Sequence, residues 1–319
     1  MKSIVITGAA GFIGSGIVRY LQGRRLILVD RLDHPEKNRN LADKIYEQLL
    51  PIEGLFSYLE GKGSEIEAII HLGACSDTLE TNTDFLYENN TLYTKRLAEY
   101  ALKHSIRFIY ASSAATYGDG SRGFSDDHAL LPFLQPLNPY GQSKHNFDLW
   151  ALKEGILDQI VGLKYFNVFG PNEAHKGRMA SMVYKMVPLI QKEGVVRLYK
   201  SNDPANFGDG EQCRDFIYVK DAAAMTCSFL NDKRGGIYNI GMGTITTWNQ
   251  LATAIFDALH LPIRIEYIDM PPDLSKQYQN YTCADMEKFV SGKKTSTLYH
   301  IKSAVADYVQ SHLLKDQPW

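Results

Sequence analysis

The stretch Lys2-Ser3-Ile4-Val5-Ile6-Thr7-Gly8-Ala9-Ala10-Gly11-Phe12-Ile13-Gly14 sets a β-branched run directly against a glycine-rich turn. Ser3 to Thr7 reads as a strand, and the amphipathic run Ser15 to Leu21 reads as a helix. Strand, glycine turn and helix in that order form a dinucleotide site. Gly8 makes the tight turn, Gly11 lets the backbone approach a pyrophosphate, and Gly14 permits close helix packing. The helix N-terminus then faces the phosphates, with Phe12 and Ile13 as further cofactor contacts.

The second strand, Arg25 to Val29, ends at Asp30. A carboxylate there accepts hydrogen bonds from the adenosine ribose hydroxyls, which suits NAD. Arg31 and Lys37 point the other way, because either cation would pair with the 2'-phosphate of NADP. The residues leave both cofactors open. Another strand, Ala68 to Leu72, runs into Gly73-Ala74-Cys75-Ser76. Leu72 and these small residues suit close approach of the cofactor at the carboxyl edge of a parallel sheet. On the next helix, Asn89 and Asn90 are candidates to hydrogen-bond that loop, with Asn89 as the cofactor contact.

Tyr140 and Lys144 stand four residues apart, and the helical run Asn146 to Lys153 continues their segment. Both side chains therefore project from one helix face. An ammonium beside a phenol is expected to lower its pKa from near 10, so that the tyrosine takes a proton from a sugar hydroxyl and returns it. The strand Arg107 to Ala111 delivers Ser113, 27 residues before Tyr140, where its hydroxyl can bond the reacting oxygen. Pro132, Pro136 and Pro139 predict a loop between the two.

A further strand, Ile160 to Phe166, leads into Asn167-Val168-Phe169-Gly170-Pro171 and then His175-Lys176-Gly177-Arg178. Ser181 to Glu193 reads as a helix, and the polar stretch between Leu198 and Arg214 as a surface loop or lid. Arg214 is a candidate to clamp a diphosphate, and Tyr278 to pack on a nucleobase. Gly236 to Gly241 reads as a last strand. The pattern predicts an α/β fold: a Rossmann-type doubly wound parallel sheet with a smaller α/β substrate-binding domain. Residues 1–168 and about 214–245 would form the dinucleotide-binding domain, and about 169–213 and 246–319 the substrate-binding domain.

With 45% hydrophobic and 22% charged residues over 319 positions, the chain matches an ordinary globular protein. A net charge of -2 gives no electrostatic support for binding nucleic acid or an anionic membrane. No apolar run reaches membrane-spanning length, and glycines interrupt Ile4 to Val18 as a signal-peptide core. Cys75, Cys213, Cys227 and Cys283 contain no C-x-x-C pair, so neither a metal site nor a disulfide framework is expected. The expected compartment is cytoplasmic.

Gly8 to Gly14 in the spacing G-x-x-G-x-x-G, with Ser113, Tyr140, Lys144 and the run Asn167 to Pro171, resembles the extended short-chain dehydrogenase/reductases that act on nucleotide sugars. His71 to Ser76, Ala111 to Gly118 and above all Gly170-Pro171-Asn172-Glu173-Ala174-His175-Lys176-Gly177 resemble the ADP-L-glycero-D-manno-heptose 6-epimerase family of lipopolysaccharide core synthesis. The resemblance implies an isomerase with tightly bound NADP, contacted also by Val168 and Lys176. It makes Ser113, Tyr140 and Lys144 the redox apparatus, and Lys176 a second acid/base. It implies an ADP-heptose substrate touching Ser113, Asn167, Arg178, Lys185, Leu198, Tyr199, Lys200, Ser201, Arg214 and Tyr278, and a homo-oligomer, often a pentamer. Lys185 stands where the family has histidine, Arg178 where it has a small polar residue, and the Ser201 to Gln212 loop is longer. A 4,6-dehydratase would carry an Asp-Glu pair where this chain has Ala114-Ala115. A hexose 4-epimerase would not need Lys176.

Overall fold

The computed structural model describes residues 1–31, 33–275, 278–291 and 298–319. Its strands are β1 (Ser3–Thr7), β2 (Leu26–Val29), β3 (Gln48–Leu50), β4 (Ile66–His71), β5 (Arg107–Ser113), β6 (Val161–Tyr165), β7 (Asn167–Phe169), β8 (Val196–Tyr199), β9 (Cys213–Arg214), β10 (Phe216–Tyr218), β11 (Gly236–Ile240), β12 (Thr246–Thr247) and β13 (Ile265–Ile268). Side chains alternate across a strand, so Ile4 and Ile6 join one apolar cluster while Val5 joins another. The same split recurs in Leu26 and Leu28 against Ile27 and Val29, and in Ala68 and Ile70 against Ile69. Strands apolar on both faces belong in a parallel sheet covered by helices on both sides.

That sheet is seven-stranded, in the order β11-β6-β5-β4-β1-β2-β3, and every pairing in it is parallel. The strand order reverses between β1 and β4, which opens a crevice at their carboxyl ends. Register then decides what reaches it. Thr7 pairs with Val29 and with His71, so Gly8, Asp30 and Leu72 leave the sheet at one level. His71 pairs with Tyr110, and β5 runs on to Ser113, which carries that hydroxyl beyond the edge.

The first helix starts at Phe12, three residues earlier than its apolar pattern suggests, with Gly11 as N-cap. The segment between Ser113 and Tyr140 is not a plain loop. It contains a 3-10 turn over His128–Phe133 with Pro132 inside it, and Pro139 is the first residue of the helix Pro139–Lys153, where its missing N–H costs no hydrogen bond. After β6 the chain leaves the central sheet: β7 pairs with β10, β9 with β12, and β8 with β13. A third apolar cluster forms there around Phe169, Val183, Met186, Phe216 and Ile255, and Phe12 joins it from the glycine turn.

Candidate active site

A cavity of about 1630 Å³ runs along the carboxyl edge of β1, β4 and β5. Its floor is the glycine turn. Gly8 has φ +68°, and a Cβ there would lie 2.7 Å from Gly73 N; at Gly14 it would lie 2.0 Å from Gly8 O. Backbone thus replaces side chains along the floor, and the helix beginning at Phe12 aims its N–H groups into it, a cradle that fits a pyrophosphate. At one end stands Asp30, buried, with one carboxylate oxygen accepting from Ala10 N at 2.8 Å and the other from Lys37 Nζ at 3.0 Å. Arg31 pairs with Asp33 nearby at 2.8 Å, and Glu53 lines the same end.

The β4 loop forms the next stretch of wall, with Leu72, Gly73, Ala74, Cys75 and Ser76 all facing the cavity. Asn90, rather than Asn89, is the residue that holds this loop: its Oδ1 accepts from Cys75 N at 2.9 Å and its Nδ2 donates to Cys75 O at 3.0 Å and Ser143 Oγ at 3.0 Å. Asn89 lines the cavity and donates to Asn90 Oδ1 at 2.9 Å. The clamp sits in a π-helical turn over Tyr87–Leu92, an irregularity often found at functional sites.

Ser113, Tyr140 and Lys144 meet at the same wall. Asn138 caps the helix by accepting from Gly141 N at 2.8 Å, a contact worth about 1 kcal/mol that fixes where Tyr140 begins the first turn. Tyr140 and Ser113 share a hydrogen bond that favours the phenolate, yet burial dominates and pushes the Tyr140 phenol up. The expected lowering by Lys144 is therefore not a property of these residues alone. The Lys144 ammonium donates to Ala111 O at 2.9 Å, and burial brings its own pKa down to about 8 against the pull of Asp148 and Cys75.

Lys176 lines the same cavity from a turn over Ala174–Met179, with its Nζ 5.1 Å above the Phe12 ring. Burial lowers its pKa, while Glu173 works to keep it charged. Glu173 is nearly fully buried and gathers both ends of this segment, accepting from Gly170 N, Ser181 Oγ and Tyr308 Oη. The segment is tied across the crevice: Asn40 donates to Ala10 O and Asn172 O, and Arg178 pairs with Asp77 beyond the β4 loop. Lys185 donates to Arg178 O at 2.6 Å, and Asn167, Val168, Arg178 and Lys185 all face the cavity.

Six expected substrate contacts lie outside this cavity. Leu198 is buried in the third apolar cluster, which leaves its side chain nothing to offer a ligand. Tyr199 ends β8, and Lys200 is paired with Asp269 at 2.9 Å. Ser201 starts a stretch held by Asp209 Oδ1 and by Asn249, so the 201–212 loop is pinned to a neighbouring helix. Arg214 is stacked between the Trp248 and Tyr278 rings at 5.8 and 5.1 Å. Of this group Trp248 reaches the cavity, whereas Tyr278 lines a second one of about 500 Å³ with Asp203 and Phe207. Asp215 does not pair with Arg214 but accepts from the backbone of Met242, Gly243 and Ala284. Sequence reasoning passed over Asp77, Asp148 and Glu173; only Asp148, eight residues after Tyr140, carried a periodic signal.

Residues 4–241 match the model of the NAD dependent epimerase/dehydratase family. The chain belongs to this family. It is 44% identical to the ADP-L-glycero-D-manno-heptose-6-epimerase of Nitratidesulfovibrio vulgaris over 99% of both chains. Among solved structures, the Helicobacter pylori enzyme of that name is 25% identical, with a TM-score of 0.78 over 97% of this chain and 96% of that one. A UDP-N-acetylglucosamine 4-epimerase from Methanobrevibacter ruminantium, also 25% identical, superposes with a TM-score of 0.80 over 98% and 99%. The backbone is thus shared by 4- and 6-epimerases, and side chains must distinguish them.

Proposed function

We propose that this chain interconverts the C6 epimers of ADP-glycero-β-D-manno-heptose, turning the D-glycero into the L-glycero form for lipopolysaccharide core synthesis. The observation that carries the reading is the entry of Tyr140 and Lys176 into one cavity from different elements. Tyr140, aligned by Ser113, takes the proton from the C6 hydroxyl as the sugar becomes a C6 ketone. Lys176 offers a proton to the same oxygen once the ketone presents its other face. A bound nicotinamide dinucleotide supplies the chemistry these side chains lack, accepting a hydride and returning it. Lys144 holds a positive charge beside the tyrosine, and the Glu173-anchored segment shields the oxidised sugar from water.

The finer choice of cofactor is NADP, as the resemblance implies, with Arg31 and Lys37 taking the 2'-phosphate. Both cations must then leave their carboxylate partners, Arg31 an exposed pair with Asp33 and Lys37 a pair with the buried Asp30, which offsets part of what contact with the 2'-phosphate contributes. The nucleotide released on denaturation identifies it. We also take the enzyme to be a cytoplasmic homo-oligomer, pentameric by the same resemblance; among the described residues no helix is long and apolar enough to cross a membrane. NMR of ADP-D-glycero-manno-heptose incubated with the protein should show the C6 epimer without added cofactor. Conversion of a UDP-hexose alone would instead establish the 4-epimerase reading.

A further inference from the structure

Asp148 is fully buried on the helix Pro139–Lys153, four residues after Lys144 and eight after Tyr140. That spacing sets the three in a row on one helix face. Its carboxylate accepts from Tyr110 Oη at 2.9 Å and from Ser112 Oγ at 2.8 Å, both on β5. Lys164 Nζ on β6 lies 3.6 Å away, also fully buried, and donates to Thr116 Oγ1 at 2.6 Å just beyond Ser113. A buried ion pair seldom stabilises a fold more than apolar side chains of the same volume. Its position behind the site therefore points to the chemistry.

We propose that Asp148 is a positioning residue for the reaction: it locks the helix bearing Tyr140 and Lys144 to the strand bearing Ser113, and gives Lys144 a buried negative charge to face. The proposal rests on the roles assigned above to Tyr140 and Lys144. Two hydroxyl bonds to β5, one from Tyr110 and one from Ser112 immediately before Ser113, fix the helix against that strand, which aligns the Tyr140 and Ser113 hydroxyls. The groups around Lys144 are Tyr140 on its own helix, Cys75 from the β4 loop, and His71 on β4, which burial and Lys144 hold neutral by pushing it down to about 3. His145 lies beside Asp148, and Asp126 faces Lys164. Asp148 is the carboxylate that supports the Lys144 ammonium against burial.

The test follows the Lys144 amine by NMR in full-length protein with 15N-labelled lysine, its signal assigned by loss in Lys144→Met. The parent amine should titrate near 8. Asp148→Asn keeps the size and one acceptor oxygen but removes the charge, and should lower that titration by about one pH unit or more. Lys164→Met, which removes the competing ammonium, should not lower it. Should Asp148→Asn fail to fold, Asp148→Asn combined with Lys164→Met leaves no orphaned ammonium, and its titration is expected to fall below that of Lys164→Met alone. An unmoved titration in either comparison overturns the proposal, even if activity is lost. Since the measurement needs no sugar, the heptose reading can fail without affecting it.

Discussion

Replacing Lys144 by methionine is expected to abolish the reaction and, at neutral pH, to make the protein more stable. Burial holds the Lys144 ammonium at about 8, against 10.5 for an unburied lysine. The folded value lies below the unfolded one, so between them the unfolded chain binds more protons and stability from this group rises with pH. Its cost is complete below about 8 and gone by about 10.5. Over that interval, at roughly 1.4 kcal/mol per pH unit, the cost is roughly 3 kcal/mol. Methionine removes it, but takes the donor from Ala111 O, which for a buried carbonyl costs about 1–2 kcal/mol. The net gain is about 1–2 kcal/mol, or about 2 °C in Tm for a chain of this length. Thermal unfolding of nucleotide-free parent and variant at pH 7 and pH 10 measures it. The variant should lead at pH 7 and lose that lead at pH 10. A variant less stable at pH 7, by an amount that does not change with pH, would refute the reasoning.

Lys176→Met should reduce epimerisation by about 10²–10⁴-fold while dinucleotide is retained, as seen by sugar NMR and protein absorbance; full activity would remove the two-base mechanism. In Gly14→Ala, the new methyl would sit 2.0 Å from Gly8 O, so the helix must back away from the turn. That variant should purify without nucleotide and unfold at lower temperature, and a full complement of dinucleotide would show that the turn is not packed this way. Arg178→Ala breaks an ion pair at the surface, where water screens the charges, so Tm should hold within about 1–2 °C. Its KM for the sugar should rise, and an unchanged KM would take Arg178 out of the substrate site.

The central sheet was legible because its signals are local. β-branched runs, glycine spacing and alternation name every strand of it within a few residues except the three-residue edge strand β3, and β1, β4, β6 and β11 fall where those patterns put them. The 3-10 turn at His128–Phe133 was not legible, since three prolines suit a loop as well as a capped turn. Asn89 and Asn90 show the same limit: the sequence left open which of them bonds the loop, because adjacent residues on a helix differ by about 100° in direction and only packing decides which faces it.

By itself the sequence determined that a dinucleotide cradle stands at the first turn, and that Tyr140 and Lys144 share a helix face, because both follow from backbone geometry over a few residues. It also carried, in Gly170 to Gly177, the resemblance on which the 6-epimerase reading most depends. Only the tertiary structure decided the electrostatics. The Tyr140 phenol is pushed up rather than down, Asp30 is already paired with Lys37, and Asp148 stands behind Lys144 with Lys164. Burial and charge partners arise from residues far apart in the chain, and no local pattern encodes how much water they lose when the sheet closes around them.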